Sequence, residues 1–217
     1  MTIHRPISGE TSKGVLIGAG PRSLAAIESQ DCAAAIWQRE PLQAFQDWID
    51  ALSPSELPKA RVILRPGDAR QAMTDLFDTQ SIAPCQERAM LIDDVAALAY
   101  IFASIMQVPF VRLRLDAITG NAHRDFHTDR ITARLICTYR GPGTQYGVSE
   151  NGDDPERVLT APTGSPIVLR GHLWPASAAT QVVQRFSPLE GRGEGRLVLL
   201  LDPVTDQPAD SREHFLH

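Results

Sequence analysis

Hydrophobic positions along the chain change period near residue 108, from steps of three and four to steps of two. Before that point Leu42, Phe45, Trp48, Ile49 and Leu52 recur at helical spacing. Ala69, Ala72, Met73, Leu76 and Phe77 do the same after the turn and cap signal Pro66-Gly67-Asp68. Each set lies along one side of a helix, so two amphipathic helices are predicted. A buried helix is predicted in Ala89 to Met106, where the charge-free stretch from Val95 falls short of the ~20 residues a membrane span needs. From Phe110 onward Val111, Leu113 and Leu115 alternate with Arg112, Arg114 and Asp116, as in a half-buried strand. Further strands are predicted at Arg130 to Tyr139, Pro166 to Arg170, Gln181 to Phe186 and Arg196 to Asp202, separated by Gly- and Pro-rich turns. Gly141 to Pro155 and Ser187 to Gly195 read as loops. The pattern predicts a single α+β domain over residues 1–217. Its helix-rich part reaches to about 108 and packs outside a sandwich or barrel at about 109–202, and a polar tail follows at 203–217.

Composition adds little to fold and something to partners. With 43% hydrophobic and 22% charged residues among 217, the chain is an ordinary globular sequence. A net charge of −5 gives no general attraction to phosphate backbones or anionic lipid, so neither nucleic acid nor a membrane surface is an expected partner. Cys32, Cys85 and Cys137 are odd in number and far apart, which fits a reducing compartment better than a disulfide framework. Met1 to Lys13 is polar, without the apolar core of a signal peptide. A cytoplasmic protein is expected.

Two motifs carry candidate chemistry. Val15-Leu16-Ile17-Gly18-Ala19-Gly20-Pro21-Arg22-Ser23 reads like the strand and turn of a dinucleotide-binding βαβ unit, with Ala34 to Trp37 as second strand and Glu40 near the ribose position. Ser23 stands at the third glycine position, and no parallel alternation of strands and helices is predicted to follow. We expect a plain strand and helix there that bind no nucleotide. His127 and Asp129 are two apart, so on a strand their side chains leave the same face and converge on one cation. That is one arm of the two-histidine, one-carboxylate triad that binds Fe(II) with open positions. The plain reading of the same spacing is a surface loop with a solvated Asp beside a histidine.

The residues after this pair sharpen the picture. Ile131 to Thr144, with Tyr139 and a Gly-rich turn, then Gly164 to Leu169, resemble the strands that follow His-x-Asp in 2-oxoglutarate/Fe(II) oxygenases. The resemblance implies a double-stranded β-helix of jelly-roll or cupin-like form, Tyr139 at the cofactor, a distal histidine, and an arginine about a dozen residues on. Gln184 stands at the histidine position, and Arg196 suits the arginine that pairs with the far carboxylate of 2-oxoglutarate. Ala35-Ile36-Trp37-Gln38-Arg39, Phe126-His127-Thr128-Asp129, Cys137-Thr138-Tyr139-Arg140-Gly141-Pro142-Gly143-Thr144 and Leu169-Arg170-Gly171 resemble, more narrowly, the bacterial family DUF1826. In its pattern a Cys stands four residues before the motif histidine, where this chain has His123, and a His-Arg-Ser-Pro stands near the end, where it has Gln184-Arg185-Phe186-Ser187-Pro188.

Glutamine is a weaker and harder donor than imidazole, so a His127, Asp129 and Gln184 set holds a transition metal less tightly. His123 or His172 is the candidate compensating ligand, His123 through a bend at Arg124-Asp125 that makes Zn(II) the second candidate metal beside Fe(II). Cys137, roughly 26 Å along a strand from Asp129, is expected in the core, and His172 in a loop. The sequence thus predicts a metal-binding or small-molecule-binding protein with an altered triad. The second reading is a 2-oxoglutarate/Fe(II)-dependent oxygenase with Arg196 anchoring the cosubstrate.

Overall fold

The computed structural model describes residues 14–80, 82–120, 125–149, 153–175, 181–189 and 195–206. The first strands, β1 (Val15–Gly18) and β2 (Ala34–Trp37), flank a 3₁₀ helix at Pro21–Glu28. Helix α1 (Gln43–Ala51), strand β3 (Ala60–Leu64) and helices α2 (Ala69–Thr79) and α3 (Gln86–Met106) follow. The remaining strands are β4 (Phe110–Ile118), β5 (Ala133–Arg140), β6 (Thr144–Ser149), β7 (Leu159–Thr160), β8 (Ile167–Arg170), β9 (Gln181–Phe186) and β10 (Arg196–Val204).

Two sheets result, one ordered β1-β2-β8-β5-β10-β4-β3 and one ordered β7-β6-β9. From β4 onward the chain passes between them. The segment at His127 joins the small sheet through a bridge to Gln184, β5 returns to the large sheet, β6 and β7 lie in the small one, and β8, β9 and β10 alternate. Within the large sheet β4, β10, β5 and β8 are antiparallel neighbours. This order is that of a jelly roll, a double-stranded β-helix.

The centre of the large sheet is buried on both faces because β2, β8, β5 and β10 carry apolar residues in both phases. Leu197, Leu199 and Leu201 of β10 pack with Leu113, Leu115, Leu135 and the buried side of α3, Leu91, Val95, Leu98 and Phe102. Val198 and Leu200, on the other phase, pack with Ile136, Ile167 and Leu169 against Tyr146 and Val182 of the small sheet. Helix α3 begins where Cys85 Sγ accepts from the Arg88 amide at 3.3 Å and ends at Gln107, which takes a left-handed φ of 52°. Its 21 residues make it long and apolar enough, by length and composition, to cross a membrane, more than the charge-free stretch indicates. In the fold one side of it covers the sheet.

Several expectations need correction. The helix-rich part contains three strands, and β1 pairs with β2 in parallel, Val15 with Ala34 through Gly18 with Trp37. These runs are too short to show a period, and β2 is buried on both faces, so alternation is absent from it. The parallel unit stops there, because β2 pairs antiparallel with β8. The supposed loop at Gly141 to Pro155 contains β6, the strand expected from Arg130 begins at Ala133, and β10 reaches Val204 into the supposed tail.

Arg170 fixes the first unit to the sheet. Its guanidinium donates to the carbonyls of Ile27 at 2.8 Å, Ser29 at 2.7 Å and Gln30 at 3.4 Å, and stacks 4.5 Å from the Trp174 ring. Arg170→Met removes these donors, leaves the Ser29 carbonyl only the Cys32 amide, and lowers the unfolding free energy by about 1–3 kcal/mol, read from urea denaturation. An unchanged urea midpoint contradicts this anchoring role.

Candidate functional site

The residues predicted from the His-x-Asp pair meet at the edge of the small sheet. His127 and Gln184 exchange both backbone hydrogen bonds, at 3.0 and 2.9 Å, so the two are opposite each other across an antiparallel pair. The Gln184 side chain is buried, and its Nε2 donates to His127 Nε2 at 2.9 Å and to Asp129 Oδ2 at 3.2 Å. His127 Nδ1 lies 3.1 Å from the Asp125 carbonyl. The neutral tautomer with hydrogen on Nδ1 satisfies both contacts, leaving the Nε2 lone pair facing Gln184.

Asp129 has a second partner that the sequence reading missed. Arg134 Nη1 donates to Asp129 Oδ1 at 2.5 Å, while its Nε and Nη2 hold Asp202 bidentately at 2.7 and 2.9 Å. Burial pulls the Arg134 pKa down, and the hydrogen bonds and charge of Asp202 and Asp129 outweigh it, so it stands above its ordinary value. Arg112 approaches Asp202 at 3.9 Å. Two carboxylates and two guanidinium groups therefore balance, with no surplus negative charge left to draw a divalent ion. The signal that could have found Arg134 is its phase on β5, which it shares with the inward Ile136.

Arg196 occupies the inner face at the start of β10 and is 1% exposed. It donates through Nε to the Pro142 carbonyl at 3.3 Å and through Nη2 to the Ser187 carbonyl, and its guanidinium lies 5.2 Å from the Phe186 ring. Phe186 is two residues beyond Gln184 on β9, so Arg196 faces the same strand as Gln184, while Asp202 of the polar cluster stands at the other end of β10. Among the described residues no carboxylate pairs with it, and burial pulls its pKa down to about 10. Asp129 does not pair with it, since Arg134 takes that carboxylate.

The structure does not bring Tyr139 to this set. Tyr139 shares the helix-facing phase of Leu135 and Cys137, a bulge where Val198 faces Thr138 but Leu197 faces Arg140 puts Arg140 on that side as well, and the Tyr139 hydroxyl donates to Asp94 Oδ2 of α3 at 2.7 Å. His123 lies outside the described residues. His172 sits in the turn after β8, its amide donating to the Asp129 carbonyl at 2.9 Å, and Cys137 is buried in the core beneath the helices.

A metal site needs three good donors. Among the described residues no group of three or more His, Cys, Asp or Glu side chains is placed to hold an ion. The set here offers one imidazole, one carboxylate already shared with Arg134, and an amide whose N–H groups point at both. Gln184 Oε1 is buried without a hydrogen-bond partner. As arranged, these residues do not fit the Fe(II) centre of an oxygenase.

The strand order defines a double-stranded β-helix protein with a polar cluster at the edge of its small sheet. The chain belongs to the DUF1826 family, described as "Protein of unknown function (DUF1826)", which it matches over residues 18–202. No curated protein matches it. Among solved structures it is similar to a rice dioxygenase for auxin oxidation, at 14% identity over 89% of this chain and 83% of that one, with a TM-score of 0.48. It is also similar to a full-length Neurospora crassa protein in complex with alpha-KG, at 14% identity over 93% of this chain and 88% of that one, with a TM-score of 0.44. At these scores the likeness is no basis for function, and the fold rests on the strand order itself.

Burial, and after it the charge of Asp94, push the Cys137 thiol up to about 12 from an ordinary 9.0. Tyr139 is raised well above 10.0 by the same two causes in the same order. Between those values the unfolded chain releases protons that the folded chain keeps, so stability falls as pH rises through that window. Urea midpoints at about pH 8 and about pH 10.5 should show the fall, smaller in Cys137→Ala. A flat profile contradicts it.

Proposed function

We propose that the protein is a small-molecule-binding module on a double-stranded β-helix, in which the facial-triad positions have become a hydrogen-bonded set. One observation carries this reading. The Gln184 amide nitrogen donates to both His127 Nε2 and Asp129 Oδ2, the two atoms that would face a shared ion, and so takes its place. Arg134 adds a fixed positive charge on the same carboxylate. Fe(II) or Zn(II) would have to displace both, and would gain only the carbonyl oxygen of a flipped amide as third ligand. The ligand class follows from Arg196. A buried guanidinium on the inner face of the β-helix, paired with no carboxylate among the described residues, suits the carboxylate of a small organic acid.

The same arginine favours a second reading, a 2-oxoglutarate/Fe(II)-dependent oxygenase. It would anchor the far carboxylate of the cosubstrate, and His127 and Asp129 would be the surviving ligands. Metal content and anaerobic Fe(II) titration separate the two. The binding-module reading expects no stoichiometric iron or zinc in protein purified without metal resins, and weak Fe(II) uptake on titration. Tight stoichiometric Fe(II) binding with 2-oxoglutarate turnover overturns it.

Two substitutions extend the test. Gln184→His removes the bridging amide and supplies an imidazole, and Fe(II) affinity should rise by ~10–100-fold, the size of effect that support for a metal site commonly has. The gain should vanish when Asp129→Ala is added, because the two residues would share one ion. Arg196→Met should abolish binding of 2-oxoglutarate or succinate used as probes while leaving metal content alone. Equal dicarboxylate affinity in that variant removes Arg196 from the ligand site.

A further inference from the structure

The two motifs richest in family character, Ala35 to Arg39 and Cys137 to Thr144, do not supply the polar cluster of the jelly roll. They meet on the opposite face of the large sheet. There a cleft of about 450 Å³ opens between α1, α3, the segment after β2 and the Tyr139 end of β5. We propose that this cleft binds an amphipathic organic amine, a cation on an apolar body.

The floor is built and rigid. Arg39 Nη1 and Nη2 donate to the two oxygens of Asp94, each at 2.6 Å, and Arg39 Nε donates to the Gly164 carbonyl at 2.5 Å. The guanidinium lies 4.4 Å from the Trp37 ring. Tyr139 brings its hydroxyl to Asp94 Oδ2 from below. Asp94 Oδ2 thus has two donors and Oδ1 one, and the Asp94 side chain is still 24% exposed.

Charge decides the sign of the ligand. Arg39, Glu40, Asp93 and Asp94 line the cleft, three carboxylates against one guanidinium. Arg39 is committed to Asp94, so no free cation faces the space to attract an acid. Asp93 pairs with Arg70 in a solvent-exposed contact, and Glu40 makes no ion pair among the described residues. An ammonium group entering here gains the open acceptor position on Asp94 Oδ1 and the field of Glu40, whereas a carboxylate meets like charge.

Apolar lining decides the rest of the ligand. Leu42, Phe45 and Met90 form a wall of aromatic and polarisable groups, with Pro41 and Ala97 at its margins. The volume lies in the usual range for a small-molecule site, mostly apolar with a few fixed polar groups. On α3 the residues Met90, Asp93, Asp94 and Ala97 recur at helical steps, so one helix face presents both the wall and the carboxylates.

The test uses 2-phenylethylamine, 2-phenylethanol and 3-phenylpropionate as probes of matched size, followed by methyl NMR of Met90 in the full chain. The amine should bind saturably and shift the Met90 methyl, the alcohol more weakly, and the acid not at all. Glu40→Gln, a change at an exposed side chain, should weaken the amine by about 2- to 5-fold. Ala97→Trp, also at an exposed position, should fill the cleft and abolish binding with the fold intact by circular dichroism. Gln184→His and Arg196→Met should leave amine binding unchanged, which keeps this result separate from the fate of the proposed function. Absence of saturable amine binding, acid binding as tight as amine binding, or full binding in Ala97→Trp each overturn the proposal.

Discussion

Burial of β10 on both faces is the constraint on which the rest of the structure depends. Its backbone groups are satisfied on one side by β4 and on the other by β5, and its side chains enter two different cores in alternate phase. The strand therefore tolerates charge only at its ends. Arg196 and Asp202 stand there on the inner face, with Val198 and Leu200 between them. Each end needs its own solution, and the solutions differ: Asp202 receives Arg134 bidentately, whereas Arg196 receives backbone carbonyls and an aromatic ring.

The two faces of the large sheet solve one problem in parallel ways. Inside the jelly roll Arg134 clamps Asp202 and reaches Asp129, and outside it Arg39 clamps Asp94 with Tyr139 in support. In both places a carboxylate near the core is paired with a forked guanidinium, the arrangement that makes burial of such groups tolerable. The inner cluster is closed by its own hydrogen bonds. The outer one is open to a cleft, which is why the two invite different ligands.

Legibility followed periodicity. Strand β4 alternates cleanly, and β10 is a continuous apolar run between turn signals, so both stand out in the sequence. Strand β6 does not, because Gly147 sits in its middle and reads as a breaker. A Cβ there would lie 2.5 Å from Pro155 Cβ and 2.6 Å from the Arg157 carbonyl, so the glycine marks a close backbone approach within a strand. The meeting of His127, Asp129 and Gln184 was readable from spacing and resemblance, since a strand brings residues two apart to one face. For Arg134 only the inward phase was readable, because its partners are five and 68 positions away and no local pattern links them. Tyr139 was placed at the cofactor by resemblance, although the phase it shares with Leu135 and Cys137 faces the helices, and the one extra residue in β5 leaves no trace in composition.

That extra residue bears on how such a sequence can change. Thr138 faces inward, and then both Tyr139 and Arg140 face the helices, where Arg140 Nη1 donates to the Leu52 carbonyl at 2.5 Å just past the end of α1. A deletion of one codon at this point would remove the bulge and restore regular alternation, with Thr138 still opposite Val198 and Arg140 still opposite Leu197. The amine cleft would lose its phenol, while Arg140 at the end of α1 and the polar cluster at Asp129 both stayed in phase. Insertions and deletions here thus act on one face of the sheet alone, which lets the two sites drift independently within one fold.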